Sequence, residues 1–293
     1  MATNPAEIVK SLIDAGVHFG HRVSRWNPKM EPYISGKRNQ IHIIDVKETV
    51  KGLLRAKKLV QKIVSEGKDV LFVGTKRQAR FAVEEEAKRC GMHAVSERWL
   101  GGTLTNFKTI RDRLKRLDEL EKLWETGQIE SYSKKMKSTL NREKTKIAAN
   151  LGGIRKMDKM PGLMVVIDTR REHIAVKEAK KLHVPTIALI DTDSDPELID
   201  LPIPGNDDAM KAIEVVMKEL ADSIIEGKTG RASEKGIEDG PGPGARRRST
   251  RVMGRADSGA EVAPIGGAEG APAETPAADA PAPAEPLAAG QSA

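Results

Sequence analysis

The stretch Leu163–Asp191 reads LMVVIDTRREHIAVKEAKKLHVPTIALID. Two unbroken apolar runs, each closed by an aspartate, bracket a charged segment. Strands with no polar alternation are buried on both faces, and such strands separated by helices pair in parallel. The stretch is therefore read as a strand at Leu163–Asp168, a helix through Lys180 and a strand at Pro185–Asp191. The same grammar recurs upstream. In KDVLFVGTK the apolar run Val70 to Val73 stops at Gly74, and a helix is predicted over Gln78 to Arg89 with Ala79, Ala82, Val83 and Ala87 inward. MHAVSERW supplies a shorter strand. In RNQIHIIDVKET the run Ile41 to Ile44 leads through Asp45 into a helix carrying Val50, Leu53, Leu54 and Val60. The segment DDAMKAIEVVMKELADSIIEG opens on two acids, which suit a helix start. It carries an Ile213, Val216, Met217, Leu220, Ile224 stripe and predicts a helix end at Gly227. The class that emerges is α/β, with a parallel sheet flanked by helices.

One region interrupts the pattern. GGTLTNFKTIRDRLKRLDELEKLWE (Gly101 to Glu125) places Phe107, Ile110, Leu114, Leu117 and Trp124 at steps of three and four, with Glu121 breaking the seam. After a break near Gly127, Met136, Leu140 and Ile147 form a thinner return stripe. Matching lengths predict a protruding antiparallel coiled-coil hairpin, inserted at about 103–150. Three uses remain open on this pattern: a homodimeric scaffold joined through the hairpin, an arm that grips RNA, or a charged and merely solvated surface. Between Lys108 and Lys146 there are 12 Lys and Arg against 7 Asp and Glu, so a polyanion is a natural partner. Lys134, Lys135 and Lys137 cluster beside the turn, where phosphates would meet them.

The remaining composition narrows the function. A formal charge of +7 and a pI near 9.3 permit nucleic-acid contact. Cys90 is the single cysteine, which leaves no internal disulfide and no thiolate cluster for zinc. The first residues do not read as an export signal, and no run of 18 apolar residues suggests a membrane span. From Ala256 onward there are 14 alanines, 6 prolines, six acids and no basic residue, so residues 228–293 are expected to form a low-complexity, disordered tail. The body is assigned to 1–227. Within the tail, Arg246, Arg247, Arg248, Arg251 and Arg255 suggest a loose electrostatic tether.

Catalytic signatures are thin. VLFVGTK lacks the second glycine and the Lys-Ser/Thr ending of a phosphate loop, and no Gly-x-Gly-x-x-Gly follows a strand. A nucleotide-binding α/β enzyme is the alternative reading. Asp168 and Asp191 end strands where parallel-sheet enzymes put catalytic acids, but a turn role suits them better. His18 and His21 in HFGH have a spacing that can bind metal, with a third ligand drawn from afar, for instance His42, His93 or an acid. A packed or RNA-facing pair is preferred, and no metal and no cofactor is assigned. With aromatics at 3%, base stacking is scarce, so RNA would be held mainly by shape and phosphate. The segment HRVSRWNPKMEPYISGKRNQ is read as an irregular basic loop.

AGVHFGHRVSRWNPKMEPYI, RNQIHIIDVKET, VLFVGTKRQAR, ERWLGGTLTNF, PGLMVVIDTRREHIAVKEAKKLHVPTIALIDTDSDP and IDLPIPGNDDA, in that order across roughly residues 5 to 227, resemble the bacterial small-subunit (30S) ribosomal protein S2 family. The resemblance implies a Rossmann-like (flavodoxin-like) parallel α/β domain with a protruding coiled-coil hairpin. It implies no enzymatic step, no small-molecule substrate and a cytoplasmic place in the small subunit. It also implies contact with 16S ribosomal RNA and with other small-subunit proteins, including docking of ribosomal protein S1. RNA contacts are then expected from Arg22, Arg25, Lys29, Lys37, Arg38, Lys76, Arg77, Arg98, Lys134, Lys135 and Lys137. Trp26 and Trp99 are expected to pack or stack, and Asn106 to meet RNA or cap the hairpin helix.

Overall fold

Strands β4 (Val70–Val73), β5 (His93–Val95), β6 (Leu163–Ile167), β7 (Thr186–Ile190) and β8 (Leu201–Pro204) form one parallel sheet in the order β5-β4-β6-β7-β8. Numbered along the chain among themselves this is 2-1-3-4-5, the doubly wound order whose reversal point lies between β4 and β6. The computed structural model describes residues 5–238, with side chains from Glu7 to Arg231. The arginine cluster from Arg246 to Arg255 and the alanine-rich acidic segment lie outside the described residues.

The pleat sorts each strand between two cores. Val70 and Phe72 of β4, Leu163, Val165 and Ile167 of β6, and Ile187 and Leu189 of β7 face α2 (Val46–Ser65), α3 (Arg80–Cys90) and α7 (Met210–Glu238). Leu71, Val73, Met164, Val166, Ala188 and Ile190 face the other way, onto α6 (His173–Lys181) and the base of a helical insertion. That division is why the strands are apolar without alternation. Gly74 ends β4 where a Cβ would stand 2.9 Å from Val83, so the glycine lets α3 close onto the sheet.

The insertion comprises α4 (Phe107–Glu125) and α5 (Lys134–Leu151), packed against each other across a turn at Gly127. Ile110, Leu114 and Leu151 belong to the second core, so the base of the pair is continuous with the sheet domain. Leu120, Ile129 and Leu140 make a separate small cluster farther along, flanked by Trp124.

Four expectations change. The run Ile41–Ile44 (β3) lies outside the parallel sheet and pairs antiparallel with β1 (Phe19–Arg22) and β2 (Ile34–Arg38). Asn39 and Gln40, with φ of 49° and 62°, form the two-residue turn that folds β2 back onto β3. The segment read as an irregular loop therefore carries a hairpin and two 3-10 turns, the second anchored by buried Met30. β8 was not anticipated, and only a 3-10 turn at Pro196–Leu198 separates it from β7. Finally, α7 runs past Gly227 to Glu238. A Cβ at Gly227 would lie 3.2 Å from Gln61 O and Val64 Cβ, so this glycine serves the close crossing of α2 and is no helix stop.

Candidate nucleic-acid interface

At the carboxyl ends of the parallel strands, the basic residue the sequence places nearest the reversal point is turned inward. Lys76 Nζ lies 2.7 Å from Asp207, 2.6 Å from Asp208 and 3.5 Å from Asp168. Burial alone would lower the lysine's pKa, but the carboxylates outweigh it and raise it. Asp207, 1% exposed, is pushed up to about 7 by burial and by the negative charge of Asp168, against the pull of Lys76. His21 joins the cluster with Nδ1 2.8 Å from Asp191, whose hydrogen bond raises the imidazole to about 9. Asp168 accepts from Arg171 N as a turn acceptor, whereas the Asp191 carboxylate accepts from His21 N at 3.1 Å and pairs with the His21 ring, 170 positions away.

One atom each from His21, Asp191 and Asp207 lie within 4.8 Å of one another, a donor set able to hold a divalent cation. The lysine ammonium already supplies positive charge there. His18 is not part of this group; it stacks on Phe19 at 4.1 Å, while His42 packs on Trp26 at 5.1 Å. His93 sits 3.5 Å from Asp69.

Two loops hold backbone donors of the kind that cradle phosphates, and both spend them on glutamates at or in α6. Thr75 N donates to Glu172 Oε1 at 3.1 Å, joined by the Thr75 hydroxyl. Burial raises the Glu172 pKa despite these bonds. Glu178 accepts from Trp99 Nε1 at 3.1 Å, Gly102 N at 2.7 Å, Leu104 N at 3.0 Å and Thr105 N at 3.1 Å. Burial would raise Glu178, but these donors together lower it. The loop after β4, where a nucleotide-dependent enzyme would seat phosphate, is thus closed from within. Neither glutamate carries a sequence signal, since its role exists only once α6 is stacked against loops some 70 to 100 residues away. Trp99 is accordingly a packed residue, 7% exposed. Asn106 occupies the N-cap of α4 without capping it and accepts instead from Thr109 Oγ1 at 2.8 Å.

The other basic candidates divide by what they touch. Lys29 bridges Asp195 at 2.9 Å and also Glu197. Arg22, Arg25, Lys37, Arg38, Arg77 and Arg98 are exposed and have no side-chain partner among the described residues. Arg22 and Arg25 line a cleft of about 500 Å³ with His21, Asp191 and Asp208. Lys37 and Arg38 flank the β2–β3 turn. Lys134, Lys135 and Lys137 fall in the first turn of α5 and are likewise unpaired. Exposed Arg113, Lys122, Arg142 and Lys146 on the same two helices were not singled out from the sequence, because helix periodicity does not distinguish a free cation from a paired one. Arg116, by contrast, is held by Glu119 and Glu143, and Arg155 by Asp118 and Glu121.

Residues 12–227 match the family described as "Ribosomal protein S2". The chain is 62% identical over 222 residues to the small ribosomal subunit protein uS2 of Rhodopirellula baltica, covering 76% of this chain and 85% of that one. It is 49% identical over 221 residues to the protein of the same name from Endomicrobium trichonymphae, covering 75% and 91%. For that of a Nitratiruptor species the identity is 51% over 226 residues, covering 77% and 85%.

Proposed function

The chain belongs to the ribosomal protein S2 family, and on that premise we propose that it is a structural constituent of the bacterial small ribosomal subunit, in the cytoplasm, holding 16S ribosomal RNA by its phosphates. The family is one of ribosomal proteins, and the reading contains no chemical step. The ribosomal body takes in the family match at 12–227 and the continuation of α7 to Glu238, with the helical pair at about 103–150 as its coiled-coil arm. No helix among the described residues is long and apolar enough to cross a membrane.

The observation that carries the RNA contact is the start of α5. Lys134, Lys135 and Lys137 stand in the first turn, where Ser133 caps only the Met136 N–H, the helix end carries partial positive charge, and no acid is present. Three lysines there work against the helix dipole, and an external anion relieves the cost. Phosphate is the anion this surface suits. The free cations Arg22, Arg25, Lys37, Arg38, Arg77 and Arg98 extend the same function to the body, whereas Lys29 and Lys76 serve mainly to tie the fold together. Docking of ribosomal protein S1 belongs to the same reading.

Separation of gently lysed host cells on a sucrose gradient tests this. The protein is expected to travel with the small subunit and to leave only as particles disassemble. Its presence solely at the top of the gradient, with ribosomes intact, would overturn the proposal.

A further inference from the structure

A pocket beside the β2–β3 hairpin has a composition that phosphate binding does not explain. It measures about 340 Å³, near the small end of the ~300–1,000 Å³ span of ligand sites. Its lining includes Trp26, Glu31, Ile34, Gly36, Lys37 and His42. His42 is 7% exposed, yet neither ring nitrogen has a hydrogen-bond partner. A neutral imidazole offers one donor and one acceptor, and leaving both unused in a buried site is costly. Trp26 is half-buried and packs on His42. Lys37 is exposed at the rim, with no side-chain partner among the described residues.

We propose that this pocket takes one unstacked nucleobase of the bound RNA strand, with Trp26 as the stacking face, the His42 imidazole, whose nitrogens the free protein shields from solvent, uncovered on binding as the hydrogen-bonding edge, and Lys37 on the adjoining phosphate. The inference rests on the RNA-binding reading above and adds to it a contact with a base where only phosphate contacts were argued. RNA is read most specifically where a base is splayed out, stacked on an aromatic ring and hydrogen-bonded along its edge. In a chain with 3% aromatic residues, a tryptophan set beside an unsatisfied histidine and a free lysine is a rare conjunction. An apolar protein side chain would leave the imidazole unsatisfied and the lysine without a counter-charge. The Glu31 carboxylate adds an acceptor, which suits a base carrying an exocyclic amine.

Gly36 makes the idea testable without disturbing the core. It lies in β2, a Cβ there would meet nothing within 4 Å, and its φ is not of the positive kind. Gly36→Val therefore fills space beside the pocket while favouring the strand. Full-length wild type, Trp26→Phe, Trp26→Ala and Gly36→Val would each be loaded onto small-subunit particles lacking this protein. Base edges would be probed with dimethyl sulfate and a carbodiimide, and the backbone with hydroxyl radicals. Wild type and Trp26→Phe are expected to protect one base edge that Trp26→Ala and Gly36→Val leave reactive, while the backbone footprint elsewhere persists. Affinity should fall roughly tenfold in Trp26→Ala. Identical base reactivity in all four, with the footprint intact, would overturn the pocket assignment and leave the RNA-binding reading standing. No wild-type footprint at all would end both.

Discussion

Lys76 and the lysines of α5 are the same residue type in opposite circumstances. Lys76 is 12% exposed and surrounded by Asp168, Asp207 and Asp208. Lys134 and Lys135 are exposed and unpaired. In the first setting the ammonium cancels carboxylates that burial has made costly, so its charge is consumed inside the fold. In the second the charge faces outward with nothing to cancel it. A count of basic residues therefore overstates the charge available to a polyanion, and what matters is the number left after internal pairing.

The sharpest way to break this contrast is to remove the inner lysine. Lys76→Met leaves three carboxylates facing one another, one of them almost fully buried. Losing one partner of such a buried network costs about 3–5 kcal/mol, and denaturant unfolding at pH 8 should show it. The deficit should shrink toward pH 5. The Asp207 pKa is already raised to about 7 in the fold, above its ordinary 3.8. A raised carboxyl is stabilised by protonation, so the penalty of the ionised form fades as pH falls below the folded value. A variant as stable as wild type at pH 8 would show that Lys76 is not spent on the fold.

Glu178→Gln tests the same principle with the sign of charge reversed. The carboxylate gathers three backbone N–H groups and an indole N–H, and an amide can serve only some of them. A loss of about 2–3 kcal/mol is expected. Hydrogen exchange should quicken at Gly102, Leu104 and Thr105, the residues that lead into α4. Unchanged exchange there would mean that the loop is held by packing and that Glu178 is incidental.

How far the sequence could be read depended on whether each feature is local. β4, β6 and β7 were legible because burial on both faces removes all polar residues from a strand, which is a local statement. The turn role of Asp168 was legible for the same reason, whereas Asp191 meets His21 across 170 positions. β3 was assigned to the wrong partner strands because an apolar run records burial but not which sheet provides it. The conformation of Asn39 and Gln40 was the missing clue. Gly227 resembled a helix stop because the close approach of α2 has no trace near position 227. The division of basic residues into spent and free was illegible for a deeper reason: Lys76 meets Asp207 across 131 positions, and no spacing rule links them.

The smallest expected change in stability falls on the outer lysines, and there the contrast predicts a separation of effects. Replacing Lys134, Lys135 and Lys137 together by alanine removes charges that have no side-chain partner among the described residues. Unfolding free energy should stay within ~0.5 kcal/mol of wild type, helped by the removal of positive charge from a helix start. RNA binding should respond far more. Each phosphate contact contributes roughly 0.7–0.9 to the slope of log affinity against log salt, so three lost contacts should flatten that slope by about 2–3. Lys29→Ala is the informative companion, because Asp195 and Glu197 already neutralise that lysine and its removal should leave the slope nearly unaltered. If the two variants flattened the slope equally per lysine, internal pairing would not govern availability. The distinction between spent and free charge would then have to be replaced by simple proximity to the RNA.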